Sequence, residues 1–203
     1  LVCALGTLAG THRSGRFGGE VDENFPFDPD VVDTGARIPY DAEQLAEKIG
    51  LLKDFAAKAP QLLPRGLADE AFLDSFGHEA RRVLDCEDGI RRYLNTQSDY
   101  VALCHWNLNI DNAWFWRDET GLHAGLLDWG SVAQMNLGGA LYGVVCASEA
   151  DFVESAMPAL IDLFARTYRD SGSPDIATDV LGRMFDLSIA VLGIAWILDA
   201  PTI

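Results

Sequence analysis

Two short polar segments of the sequence carry side chains suited to metal and phosphate chemistry. The first covers residues 105–112 and ends at Asn112, and the second covers residues 126–130 and contains Asp128. Amide and carboxylate oxygens are the hard ligands that Mg²⁺ prefers. A magnesium ion bound in this way neutralises charge on nucleotide phosphates during phosphoryl transfer. The sequence therefore predicts a magnesium site formed by Asn112 and Asp128.

The apolar stretches around these segments predict the strands that position them. A turn sequence, Asp118-Glu119-Thr120-Gly121, separates two of the stretches and indicates a β-hairpin. The predicted strands are 100–104, 113–116 and 123–127. Because Asn112 precedes the hairpin and Asp128 follows it, we expect the hairpin to bring the two residues close together.

The remainder of the chain has helical periodicity. Asp41 is a predicted N-cap with Gln44 three residues later, as in a capping box. Residues 20–40 are rich in Asp, Pro and Gly and predict a loop, and the chain after Gly130 is expected to be helical. The predicted helices are 1–12, 41–58, 67–95 with a break near Gly77 or Gly89, 137–147, 150–169 and 176–199. The fold class is therefore α+β and predominantly helical.

Composition restricts the classes of partner. The chain has 203 residues, with 15 basic and 31 acidic side chains and a net charge of -16. Such an acidic chain is not expected to bind nucleic acid, because it repels the phosphates. Its charge suits either a cationic substrate or a site that holds phosphate through metal ions. The alternative interpretation is that the charge only keeps the protein soluble. The apolar run 189–198 is about half a membrane span, so no membrane partner is expected.

The four cysteines, Cys3, Cys86, Cys104 and Cys146, have no zinc-ligand spacing. Each lies in an apolar sequence context and is expected to be buried as a small apolar side chain. This usage favours a reducing compartment, and we expect a cytoplasmic protein.

Together the two polar segments resemble the aminoglycoside phosphotransferase and choline kinase branch of the protein-kinase-like superfamily. Its first segment typically reads His-Gly-Asp-Leu-His-Pro-x-Asn and its second Ile-Asp-Trp or Ile-Asp-Phe. The matching positions are His105, Leu108, Asn112, Asp128 and Trp129. The resemblance implies that residues 1–203 form the kinase-like C-terminal lobe, without the N-terminal nucleotide lobe. It further implies a loop or insertion at 20–40, catalytic and metal loops at 103–130, and a helical subdomain at 137–200.

The resemblance also implies roles for individual residues. Asn112 and Asp128 would hold Mg²⁺ and, through it, ATP or another nucleoside triphosphate, and His105 would hold the first loop in place. The family's catalytic aspartate falls at Asn107, which cannot usefully accept a proton. Losing a general base costs about 100- to 10,000-fold in rate, and Asp111 offers a nearby carboxylate. The three lysines, Lys48, Lys53 and Lys58, all lie in one predicted helix, away from any strand.

Three functions remain open on these residues. The first is an ATP-dependent phosphotransferase whose acceptor is a small hydroxyl-bearing molecule, with a cationic one mildly favoured by the acidic composition. The second is a pseudokinase-like module that binds nucleotide or metal without transfer. The third is a helical interaction scaffold.

Two further groups have structural as well as functional interpretations. Aromatic side chains near the segments suggest base stacking, but we expect them to pack into the core or cover the hairpin. They are Trp106, Trp114, Phe115, Trp116 and Trp129. Four arginines suggest a phosphate site, but a solvated helix face is the favoured interpretation. They are Arg81, Arg82, Arg91 and Arg92.

Overall fold

The computed structural model describes residues 1–29, 37–64 and 66–198, and most of these are helical. The α-helices are α1 (Val2–Arg13), α2 (Gly19–Asn24), α3 (Ala42–Lys58), α4 (Glu70–Thr96), α5 (Leu137–Val145), α6 (Ala150–Asp170) and α7 (Thr178–Leu192). The strands are β1 (Val101–His105), β2 (Ala113–Asp118), β3 (Gly121–Leu126) and β4 (Val132–Asn136). The predicted α+β class with a helical majority is confirmed. Within the described ranges, no helix combines the length and apolar character needed to cross a membrane.

The chain divides into two compact units. Unit 1 comprises the described residues within Leu1–Val32 and Tyr93–Ser188, and unit 2 comprises those within Asp33–Arg92 and Ile189–Ile203. Both polar segments identified in the sequence belong to unit 1.

Helices α1 and α6 form the base of unit 1 and touch through their backbones. A Cβ atom added at Gly10 would lie 2.4 Å from the carbonyl oxygen of Tyr168, so only glycine permits this approach. Tyr168 itself is fully buried, and burial raises its pKa to about 12. Its hydroxyl donates to the carbonyl oxygen of Asp99, just before strand β1, at 3.3 Å. The helix pair is thereby connected to the strand that leads into the first polar segment.

Strand β4 is a correction to the sequence analysis, which predicted helix after Gly130. Residues 132–136 instead pair antiparallel with β1, and Val132 faces His105. Long-range pairing of this kind overrides local periodicity. Asn136 ends the strand and caps α5, because its side chain accepts from the backbone N–H of Gly138 at 2.8 Å.

Helix α2 is a second correction, because it lies in the stretch 20–40 predicted to be a loop. Its residue Asp22 accepts hydrogen bonds from Gln134 at 2.9 Å and His12 at 3.1 Å. These tertiary contacts, invisible to composition, hold the short helix against β4 and α1. Residues 30–36 of the predicted loop lie outside the described part of the chain.

Unit 2 contains α3 and most of α4. The predicted capping box at Asp41 and Gln44 is confirmed by reciprocal side-chain to backbone bonds. Helix α4 runs without the predicted break through Gly77 and Gly89. Helix α7 ends at Leu192, earlier than predicted, and a single π-helical turn follows it over Gly193–Ile197.

The cysteine prediction is wrong for three of the four residues. Cys104 in β1 is fully buried, which raises the pKa of its thiol. Cys3, Cys86 and Cys146 are exposed. These three cysteines lie on helices or at helix ends, where the neighbouring apolar side chains point to the opposite side. Apolar neighbours in the sequence therefore do not show that a helical cysteine is itself buried.

Candidate functional site

Strand β1 ends at His105, which is the first residue of the first polar segment. The strand is buried along its whole length, and His105 has no exposed surface. Its Nε2–H donates to the carbonyl oxygen of Leu127 at 2.7 Å. Its Nδ1 has no hydrogen-bond partner among the described residues. His105 therefore joins the first segment to the second, and its buried position suits it to holding the loops rather than to exchanging protons with a substrate.

A network of amide side chains shapes the first segment. Asn109 accepts the backbone N–H of Asp111 at 3.0 Å and donates its Nδ2–H to Oδ1 of Asn107 at 3.1 Å. Asn112 donates its Nδ2–H to the backbone carbonyl of Asn107 at 2.7 Å. Leu108, which is fully buried, anchors the segment beneath these bonds. Hydrogen bonds among side chains and backbone groups of the first segment therefore stabilise its conformation.

The hairpin brings the ends of the two segments together. Strands β2 and β3 pair antiparallel with Ala113 opposite Leu126. The pairing continues one step further, because the N–H of Leu127 donates to the carbonyl oxygen of Asn112 at 2.9 Å. Asp128 follows immediately, so the backbone of Asn112 lies beside the residue that precedes Asp128.

Asp128 has an unusual backbone conformation. Its φ of 53° and ψ of 60° are left-handed, and it is the sole non-glycine residue with positive φ in the described ranges. A left-handed conformation costs roughly 1–2 kcal/mol for most residues, although aspartate tolerates it better than most. Such strained positions concentrate at functional sites. The conformation turns the chain sharply after β3 and leaves Asp128 exposed.

Trp129 couples this turn to His105. Its ring meets the His105 imidazole edge to face, with centroids 5.7 Å apart. The hydrogen bond from His105 to Leu127 and this ring contact hold the residues on both sides of Asp128. The orientation of the second segment consequently depends on one buried histidine.

Two oxygen-bearing side chains flank the junction of the segments, one amide and one carboxylate. Because Asn112 uses its Nδ2–H within the loop, its amide oxygen is the atom that remains for a ligand. Asp128 adds one exposed carboxylate. Mg²⁺ commonly takes one or two protein oxygens and completes its shell with water and substrate phosphates. The described residues contain no group of three His, Cys, Asp or Glu side chains suited to a metal. A metal ion coordinated by protein side chains alone is therefore not indicated among them.

Asn107 and Asp111, the other predicted catalytic residues, lie in the same loop with different surroundings. Asn107 is half-buried, and its amide oxygen already accepts from Asn109. Asp111 is exposed within a short helical turn over Ile110–Asn112. The loop therefore presents a half-buried amide at Asn107 and a solvated carboxylate four residues later.

Of the two placements expected for the aromatic side chains of the hairpin, packing into the core is not what Trp114 and Trp116 adopt. Trp114 is 60% exposed and Trp116 is 46% exposed. Strands β2 and β3 form a sheet of their own, and no third strand of the described residues joins it. Trp114 does cover the hairpin in part, because a Cβ at Gly125 would lie 1.3 Å from its Nε1.

Two of the arginines considered for phosphate binding have acidic partners on their own helix. Arg81 donates to Asp85 at 2.9 Å, and Arg82 donates to Glu79 at 2.8 Å. Both arginine side chains are more than half exposed. The favoured interpretation of a solvated helix face is confirmed for these two.

A glycine that the sequence motifs did not single out, Gly143 in α5, packs against the first segment. A Cβ atom at Gly143 in α5 would lie 1.5 Å from the carbonyl oxygen of Trp106. The backbone of α5 at Gly143 is therefore in direct contact with the backbone of Trp106, near the start of the first segment. The available signal was the glycine-rich apolar run Leu137-Gly138-Gly139-Ala140-Leu141-Tyr142-Gly143, which is costly in a helix unless close packing requires it.

Comparison with models of protein families, with curated proteins and with solved structures finds no match for this chain.

Proposed function

We propose that this chain carries the magnesium- and phosphate-handling loops of an ATP-dependent phosphotransferase that acts on a small hydroxyl-bearing molecule. The observation that carries the proposal is the junction of the two segments, where the N–H of Leu127 donates to Asn112 and Asp128 follows in a left-handed conformation. In the proposal, the protein has the architecture of a kinase-like C-terminal lobe.

Within this proposal each residue has a defined task. Asn112 and Asp128 supply oxygens for Mg²⁺, which when bound offsets the negative charge of the nucleotide phosphates. His105 and Trp129 keep the second segment in register with the first. Asn107 orients the acceptor hydroxyl through a hydrogen bond, and the exposed Asp111 is the nearest carboxylate along the loop.

A second candidate function rests on Asn107. Because an amide replaces the expected base and its oxygen is engaged by Asn109, the loop is suited to binding nucleotide and metal without transfer. Replacing Asn107 with aspartate tests this. If transfer is limited by the missing base, Asn107→Asp raises the rate of nucleotide turnover by about 100- to 10,000-fold. An unchanged rate, equal to that of Asp128→Asn, favours the binding module.

Calorimetric titration of ATP into the 203-residue chain, with and without Mg²⁺, tests the shared basis of both candidates. We expect binding that requires Mg²⁺ and that falls at least tenfold in Asn112→Ala and in Asp128→Asn, as expected when a charged contact worth about 1.5–3 kcal/mol is removed.

A matched control is available on the same hairpin. Glu119→Gln removes one negative charge in the exposed turn at the far end from Asn112 and Asp128. It should leave the affinity unchanged. Equal losses in Glu119→Gln and Asp128→Asn would mean that general acidity binds the metal, and binding that is absent with Mg²⁺ would favour the helical scaffold.

A further inference from the structure

Unit 2 contains a large cavity that the phosphate chemistry of unit 1 does not involve. Its volume is about 640 Å³, and all of its lining residues belong to unit 2. Four parts of the chain form its walls, namely α3, the residues Leu63, Pro64 and Leu67, α4, and the end of α7 with the π-helical turn. A volume of this size falls within the range of small-molecule sites, roughly 300–1,000 Å³.

The walls of the cavity are almost entirely apolar. Leucine, isoleucine, valine, alanine and phenylalanine side chains dominate the lining, and Glu79 is its one charged member among the described residues. Several of the apolar side chains remain partly accessible, including Leu52, Phe76 and Val83, and Phe72 is 42% exposed. Water in such a site finds few hydrogen-bond partners, which favours its replacement by apolar atoms.

The polar groups of the lining indicate what kind of ligand fits. Both carboxylate oxygens of Glu79 accept from Nη1 of Arg82, at 2.8 and 3.0 Å. The negative charge of Glu79 is therefore already compensated by the guanidinium group of Arg82, which lies on the same helix, α4. A ligand that matches this lining is uncharged and predominantly apolar, since the walls offer little to compensate the desolvation of an ionic group.

The π-helical turn is a second feature of this site. Gly193 begins the turn and lines the cavity, and a Cβ atom added there would meet no other atom within 4 Å. π-helical turns are uncommon and occur frequently at functional sites. A side chain added at this position of the wall therefore meets no steric obstacle at its Cβ.

We propose that the cavity of unit 2 is a binding site for one small, uncharged, predominantly apolar molecule. It is walled on several sides by four stretches of the chain, its volume matches that of small-molecule sites, and its one charged side chain is compensated from within the unit. The proposal is independent of the function proposed for unit 1.

Titration of the chain with the uncharged dye Nile red tests the proposal. We expect one dye molecule per chain, with the blue-shifted emission that an apolar environment produces. Gly193→Leu adds a large side chain to the cavity wall and should weaken binding at least tenfold. Gly50→Leu is the matched control, because Gly50 is also helical and unhindered at Cβ but does not line the cavity. Equal affinities in the two variants, or a wild type that does not bind, would overturn the proposal.

Methyl NMR of the unmodified chain provides a measurement that does not depend on any variant. Nile red should shift the methyl resonances of Leu52, Val83 and Ile189, which line the cavity. It should leave those of Leu5 and Leu141 in the core of unit 1 unchanged. Shifts confined to unit 1, or spread evenly over both units, would contradict the proposed site.

Discussion

Nε2 of His105 donates to the carbonyl oxygen of Leu127 across a distance of 2.7 Å, and this bond joins the two polar segments of unit 1. Because His105 is fully buried, its replacement by alanine removes this bond and leaves a cavity where the imidazole was packed. The lost hydrogen bond and the cavity together cost about 1–3 kcal/mol. His105→Ala should lower the free energy of unfolding by at least that amount, as measured by urea denaturation, and should weaken magnesium-dependent ATP binding.

The comparison for that variant is His123→Ala. His123 lies near the turn of the hairpin, where it contacts Asp118 and Trp116 and is partly exposed. Its removal should cost much less stability and leave ATP binding intact. If both histidine variants behaved alike, the special role assigned to His105 would be wrong.

Gly143 gives a steric prediction about the start of the first segment. Its missing Cβ would occupy the position of the Trp106 carbonyl, so Gly143→Ala forces α5 and the loop apart. Overpacking of this kind costs about 1–3 kcal/mol. Gly139→Ala in the same helix is the control, because its Cβ would approach the flexible end of Met135 at 3.3 Å. Thermal denaturation should separate the two variants clearly, and a Gly143→Ala protein as stable as Gly139→Ala would refute the close contact.

The left-handed conformation of Asp128 predicts an order of stabilities. Glycine adopts that conformation without a steric cost, whereas alanine bears a cost of roughly 1–2 kcal/mol. Asp128→Gly should therefore unfold at higher urea concentration than Asp128→Ala. Both variants lose the carboxylate and should lose magnesium-dependent ATP binding equally. Equal midpoints would show that the residue does not hold this conformation in solution.

Asp118 at the hairpin turn gives a prediction about pH. Hydrogen bonds from Thr120, then from His123, hold the pKa of the Asp118 carboxyl below its usual value. A carboxyl with a lowered pKa in the folded state contributes stability above its unfolded pKa of about 3.9, and that contribution is lost as the pH falls through the lower folded value. Thr120→Val should raise the pKa of Asp118, measured by carboxyl NMR titration. An unchanged titration would exclude the Thr120 hydroxyl as the main cause.

Local signals were enough to predict much of the fold. The helices α1, α3 and α6 follow from apolar periodicity and from the capping box at Asp41, and the hairpin follows from its Asp-Glu-Thr-Gly turn. These features depend on residues close together in the sequence. The helical class was predictable for the same reason.

The errors have a common physical origin in long-range contacts. Strand β4 exists because it pairs with β1, about thirty residues earlier, and α2 is held by bonds from Gln134 and His12. No local pattern records such partners. The sequence also did not decide whether Trp114 and Trp116 enter the core or cover the hairpin, because this depends on the hairpin forming a separate two-stranded sheet in the described part of the chain.

The candidate site was only partly predictable. The spacing of Asn112, the turn and Asp128 indicated that the segments meet, since a hairpin must return the chain to its starting point. Two features could not be predicted, namely the amide hydrogen bonds around Asn107 and the close backbone contact between Gly143 and Trp106. Both depend on side-chain and helix positions that only the folded chain defines.

The most direct test of the proposed metal site is NMR with Mn²⁺ in place of Mg²⁺ in the presence of ATP. The paramagnetic ion broadens resonances of nearby nuclei, so it locates the metal without relying on activity. We predict that the amide signals of Asn112, Leu127 and Asp128 broaden first, while that of Glu119 at the far end of the hairpin stays sharp. Broadening spread over the acidic surface, or concentrated away from Asn112 and Asp128, would contradict the account.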